Sequence, residues 1–160
     1  MRLWLIAVGR SGRLLAPAIE EYGARAQRYW PLDVIEVKEE RAHRGMDEDA
    51  VREAEATRLL QRVPKDAQLV ALTRTGDAWS SERLSRHIQR SALHAEPGMA
   101  FVIGGALGLS HTVLKEAHRR MRLSTFTLPH DLARLLLLEQ LYRAGTIARG
   151  EPYHKGRGAE

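Results

Sequence analysis

At 160 residues, with 44% hydrophobic and 28% charged side chains, the chain has the size and composition of one domain with a sizeable core, which excludes disorder along its whole length. It has no cysteine, so disulfides, thiolate zinc sites and cysteine nucleophiles are all excluded, and a reducing cytoplasm suits it. The net charge is +5, and 21 of the 25 basic side chains are arginine; that bias marks either nucleic-acid contact, through bidentate phosphate pairing, or a compositional habit spread over a solvated surface.

The opening MRLWLIAVGRSGR has an apolar stretch too short for a secretory signal and no small-residue cleavage site, and it reads as a first strand over Arg2–Val8. No later apolar run approaches the roughly 18 residues of a membrane span, so a cytoplasmic location is expected. Leu15, Ile19, Tyr22, Ala26 and Tyr29 form a helical stripe that Pro31 ends, and Leu32–Val37 is a second strand. After a charged loop, Asp47 caps a helix to about Arg62, and QLVALT (68–73) is a third strand. Ser80 caps the next helix, which ends before Pro97.

MAFVIGG gives a fourth strand, Ser110 caps a short helix through Arg120, and RLSTFTL (122–128) is expected as a fifth strand. Pro129 restarts the chain into a last helix, about Asp131–Ala148. Strands alternating with helices predict an α/β fold with a parallel sheet and no internal repeat or interdomain linker. The last helix is apolar most of the way round, through Leu132, Leu135, Leu136, Leu137, Leu138 and Leu141. It is therefore buried on several sides, either in a core or between subunits, and a homodimer interface is the expectation.

Ligands of open α/β sheets collect outside the carboxyl ends of the strands. Three such ends carry distinctive residues: Leu72-Thr73 before RTG, Gly104-Gly105 before ALGLS, and Thr127-Leu128 before PH. The glycine pattern is neither GxGxxG nor GxxxxGK[ST], which weakens dinucleotide and Walker readings and leaves a ligand loop or a plain tight turn. The histidine spacing supports no metal site, and no serine sits in a nucleophile elbow. His130, Arg134, Glu139, Tyr142, Arg143, Tyr153 and His154 gather around the last helix and tail, either as a site or as caps and a solvated face.

The segments LWLIAVGR, FVIGGALGLS and LPHDLARLLLLEQLYRAGTIARGEPYH together span the chain from first strand to tail. In them the sequence resembles the small SPOUT methyltransferases that methylate N3 of a pseudouridine in 23S rRNA of the large ribosomal subunit. The resemblance implies a single SPOUT domain over residues 1–160, a C-terminal trefoil knot, which chain-topology rules leave to rare folds, and a homodimer. It implies S-adenosylmethionine as cofactor and no metal. Carried over by position, the cofactor contacts are Leu72, Gly104, Leu123, Ser124, Thr125, Phe126, Thr127 and Leu128. Residue type and location make Arg143, Tyr153 and His154 the catalytic candidates, with Arg143 or another arginine to stabilise charge on the base carbonyls and His154 to accept the proton or position a water. Residues 149–160 become a functional tail.

One departure stands out: Thr73 replaces the family's acidic residue after Leu72, and Asp77 replaces its lysine, with Arg74 nearby as a substitute. Those two changes are what an alternative rests on, a non-catalytic RNA-binding or ribosome-assembly factor on the same fold.

Overall fold

The computed structural model describes residues 1–154, His154 by its backbone alone. Five strands, β1 (Arg2–Val8), β2 (Leu32–Val37), β3 (Gln68–Ala78), β4 (Gly98–Ile103) and β5 (Arg119–Arg122), form one parallel sheet in the order β2-β1-β4-β3-β5. Between them run α1 (Ala16–Gln27), α2 (Glu48–Arg62), α3 (Ser81–Leu93) and α4 (His111–Glu116). After β5 come α5 (His130–Ala148) and a 3-10 turn, Pro152–His154. The fold is α/β, as the alternation of elements predicts.

Successive side chains of a strand face opposite sides of the sheet, so each strand feeds two cores. Leu3, Leu5, Ala7, Val70, Met99, Phe101 and Ile103 pack with α1, α3 and α5 on one face. Ile6, Val8, Leu69, Ala71, Ala100 and Val102 pack with α2 and α4 on the other. β4 is buried along its whole length, as a central strand covered on both faces must be. The three predicted caps are in place: the Asp47, Ser80 and Ser110 side chains accept from the backbone N–H of Ala50, Arg83 and Val113.

The leucine-rich α5 lies between α1 and α3 in its layer. Trp30 Nε1 donates to Leu141 O at 2.8 Å from one side and Ser85 Oγ to Ala144 O at 2.8 Å from the other. Leu137, Leu138, Leu141 and Ala144 are wholly buried within the chain itself. A central position in the layer thus accounts for most of the apolar girth of this helix; Leu132 remains exposed and Leu135 and Leu136 half-buried.

The fifth strand differs from expectation. The helix opened by Ser110 stops at Glu116, because His118 joins the sheet: its N–H donates to Leu69 O at 2.9 Å, and its Nδ1 accepts from Leu69 N–H at 3.0 Å. β5 follows at once as Arg119–Arg122, an edge strand in which Met121 alone is buried. Residues 123–128, whose Thr and Phe suggested a strand, have no neighbour to pair with and form a loop. β3 also runs on to Ala78, with a break in register: Met121 pairs with both Leu72 and Asp77. Residues 73–76 therefore arch past β5.

Candidate active site

The carboxyl ends of β3, β4 and β5 lie on one edge of the sheet, and the chain leaving them encloses a cleft of about 440 Å³. Of the eight residues expected to touch a cofactor, Leu72, Gly104, Leu123, Ser124, Phe126, Thr127 and Leu128 line it. Thr125 does not, and is exposed on the same loop. Ile103, Leu109 and Ala133 complete an apolar floor, and Arg74 and Arg122 are the cations in the wall.

A flat glycine turn forms one side. Gly108 N–H donates to Gly105 O at 3.0 Å, and the two residues close an antiparallel bridge. Gly108 holds φ +79°, a conformation that favours glycine. A Cβ on Gly104 would fall 2.5 Å from the Gly108 carbonyl carbon, so the turn lies directly against residue 104. The opposite side is the 123–128 loop, where Ser124 Oγ accepts from Phe126 N–H at 2.9 Å. Phe126 itself is 79% exposed. Arg74 reaches across to Thr127 Oγ1 at 3.4 Å. Asp77, by contrast, faces solvent away from the cleft, 3.8 Å from Arg83.

The expected catalytic residues form a separate cluster. Arg143 donates from Nε (3.0 Å) and Nη2 (2.7 Å) to Glu139 Oε1, and Tyr153 Oη donates to the same oxygen at 3.1 Å. The Arg143 guanidinium lies 4.9 Å from the Tyr153 ring centroid, a cation–π distance. Tyr153 packs on Tyr142 (4.5 Å between centroids), and Tyr142 meets Tyr22 and Tyr29 of the α1 side. The Tyr29 hydroxyl donates to Glu151, and the Arg149 guanidinium stacks on the Tyr29 ring. Burial, then hydrogen bonding with Tyr22, then the Glu139 charge push the Tyr153 hydroxyl far above its ordinary pKa.

Neither Arg143 nor Tyr153 lines the cleft. Ala133 does, and Arg143 sits ten residues further along α5, which is about 15 Å at 1.5 Å per residue. The His154 side chain and residues 155–160 of the expected tail lie outside the described residues. Arg134, left open in the sequence between a site residue and a cap or solvated face, is 1% exposed and ion-paired with Glu36 at 2.6 Å. His130, grouped from the sequence with the last helix and tail and standing in the PH of the third strand-end signal, lines the cleft. Among the described residues no three His, Asp or Glu are grouped to hold a metal ion. No described helix is long and apolar enough to cross a membrane.

A family model described as "Predicted SPOUT methyltransferase" matches residues 1–154. The chain belongs to the SPOUT methyltransferase family. Three relatives, each named Ribosomal RNA large subunit methyltransferase H, cover nearly all of this SPOUT chain. That of Gemmatimonas aurantiaca is 51% identical over 97% of this chain and 100% of its own. That of Rubrobacter xylanophilus is 48% identical over 96% and 98%, and that of an Anaeromyxobacter species 47% over 97% and 100%. Among solved structures, a probable methyltransferase of Bordetella pertussis superposes with a TM-score of 0.51 at 19% identity, covering 89% of this chain and 95% of that one. That likeness shows a shared α/β fold.

Proposed function

We propose that the protein transfers a methyl group from S-adenosylmethionine to N3 of a pseudouridine in 23S rRNA of the large ribosomal subunit, in the cytoplasm and as a homodimer. One observation carries this reading: the strand-end residues matched to the family's cofactor contacts converge on a single cleft of suitable size. The residues present fit the cofactor. An apolar floor and the flat backbone of the glycine turn suit an adenine held by main-chain groups, and Arg74 and Arg122 are the cations available to a carboxylate. Of the two positions on which the alternative of a retired enzyme rests, Asp77 lies outside the cleft, and Thr73 lines it beside Arg74, which supplies a cation there.

When bound, the cofactor supplies an electrophilic sulfonium methyl, so the protein has to orient a nucleophile in line, exclude water and manage one proton. Leu72, Gly104 and the 123–128 loop hold and desolvate. Arg143 stabilises the negative charge that spreads onto the base carbonyls as N3 loses its proton. Its Nη1 makes no hydrogen bond among the described residues, because Nε and Nη2 hold Glu139. Tyr153 fixes Arg143 by stacking on it and sharing its carboxylate. His154, by residue type and location, accepts the proton or positions a water.

The separation of cleft and cluster along α5 supports a dimer in which a partner's tail completes each cleft. The exposed Leu14, Phe126 and Leu132 give that contact apolar surface. The trefoil knot belongs to this reading through the family resemblance, in the C-terminal part of the chain. The test is mass spectrometry of 23S rRNA from a strain lacking the gene, before and after ribosomes are incubated with the protein and cofactor. One methyl group should be missing from a pseudouridine and be restored. Full methylation in the deletion strain would refute the reading.

A further inference from the structure

The segment after β1, residues 9–13, is pinned from beneath. Arg134, the largest wholly buried side chain, donates from Nη2 to Gly9 O at 2.9 Å and from Nη1 to Glu36 Oε1 at 2.6 Å. Glu36 Oε1 also accepts from Ser11 N–H at 3.1 Å, and Asp131 Oδ2 accepts from Gly12 N–H at 2.6 Å. A guanidinium is costly to bury and is tolerated when its partners are fixed. Here one partner, Gly9 O, belongs to a surface loop, and the other, Glu36 of β2, also holds that loop through Ser11 N–H, so the burial is spent on holding the loop still.

The loop stands at the rim of the cleft. His130, next to Asp131, lines the cleft, and its Nε2 is 4.0 Å from where a Cβ on Gly9 would stand. With the backbone held inward, what projects to solvent is Arg10 and Arg13, both exposed and neither with a partner among the described residues. Glu39 Oε2 lies near Gly9 on the β2 side and, with Glu36 and Asp131, confines the positive charge to those two projecting side chains.

We propose that residues 9–13 form a phosphate-contacting arm for the RNA strand whose base enters the cleft, with Arg10 and Arg13 as contact groups and Arg134, Glu36 and Asp131 as positioning residues. A guanidinium meets a phosphodiester through two donors, and two of them on one rigid loop fix the register of the strand. The arm rests on the rRNA methyltransferase reading above.

The test titrates large ribosomal subunits with the protein across a range of salt, whether or not methyl is transferred. The Arg10→Gln/Arg13→Gln double variant should keep its cofactor affinity and melting temperature. Its plot of log affinity against log salt should be shallower by about 1.4 to 1.8, two phosphate contacts at about 0.7 to 0.9 each. Arg134→Lys removes no charge and nothing from the surface, yet it should flatten the slope too, because an ammonium cannot bridge Gly9 O and Glu36 in the same fork. An unchanged slope in the double variant overturns the arm, and that variant decides alone if Arg134→Lys does not fold. A full slope in a folded Arg134→Lys protein overturns the positioning role. Loss of slope without any methyl transfer by the parent protein would sink the enzyme reading and leave the arm standing.

Discussion

The cleft and the tail cluster lie at opposite ends of α5 and are made of different materials. The cleft leans on backbone: a glycine turn on one side, a loop folded on its own serine on the other, and aliphatic side chains between. The tail cluster is side chain throughout, with one carboxylate, Glu139, holding an arginine and a tyrosine against a stack of aromatic rings. A site made of backbone tolerates most substitutions and fails where a Cβ has no room. A site made of functional groups fails one group at a time. The first kind suits holding a constant ligand, the second suits answering charge that develops during reaction.

The largest expected effect tests the first half of that contrast. In Gly104→Ala the added Cβ would stand 2.5 Å from the Gly108 carbonyl carbon and 2.8 Å from Leu109 N, and both are backbone atoms with little freedom to give way. Such overpacking costs about 1–3 kcal/mol of stability, and the turn must open to relieve it. Cofactor affinity measured by calorimetry should fall by about 100-fold or more, on the order of 3 kcal/mol. Binding within threefold of the parent would show that the turn is not a rigid wall.

Arg143→Lys probes the other half. Lysine keeps the charge but cannot grip Glu139 through two nitrogens while lying flat on Tyr153. Single-turnover methyl transfer should drop by about 10²–10³, the usual loss when one oriented donor is removed, with cofactor affinity unchanged. A parallel fall in cofactor affinity would mean that the tail cluster helps hold the cofactor, and that the two regions do not divide the work.

The two regions also differ in how far the sequence discloses them. The cleft follows from local signals: a strand end is a place in the chain, and the turn after β4 and the Ser110 cap announce themselves within ten residues. The tail cluster depends on Tyr22 and Tyr29, which meet Tyr142 and Glu151 across more than a hundred residues, and no local pattern pairs them. Arg134 is hidden for the same reason, since Glu36 is 98 residues away and the other partner is a main-chain carbonyl. β5 escaped because RRMR, polar and on an edge, has no strand composition, while the more strand-like residues after it lack a neighbour. Periodicity did show that α5 is buried on several sides. Whether helices of the same chain or a second copy cover it depends on layer order, which periodicity does not encode.

The smallest expected effect lies beneath the glycine turn. Glu55 of α2 is 5% exposed, its Oε1 accepts from Glu40 N–H at 3.1 Å, and its Oε2 is buried without a partner among the described residues, close to Gly105. Burial raises the pKa of this carboxyl above the ordinary carboxylate value, partly offset by the Glu40 N–H and the Arg58 charge. The folded state therefore holds the proton more tightly than the unfolded chain, whose glutamates titrate near about 4.3. Stability from this group is present below that value and is lost as pH rises through the folded pKa, beyond which the deficit stays constant. Glu55→Gln has no proton to lose, so the melting temperature of the variant minus that of the parent should rise with pH from about 4 and then level off. The amide leaves its own NH₂ to be satisfied, which moves the whole difference curve up or down but does not tilt it. A difference independent of pH would show that Glu55 ionises as freely in the fold as in the unfolded chain, and that the cleft floor is wetter than its backbone construction implies.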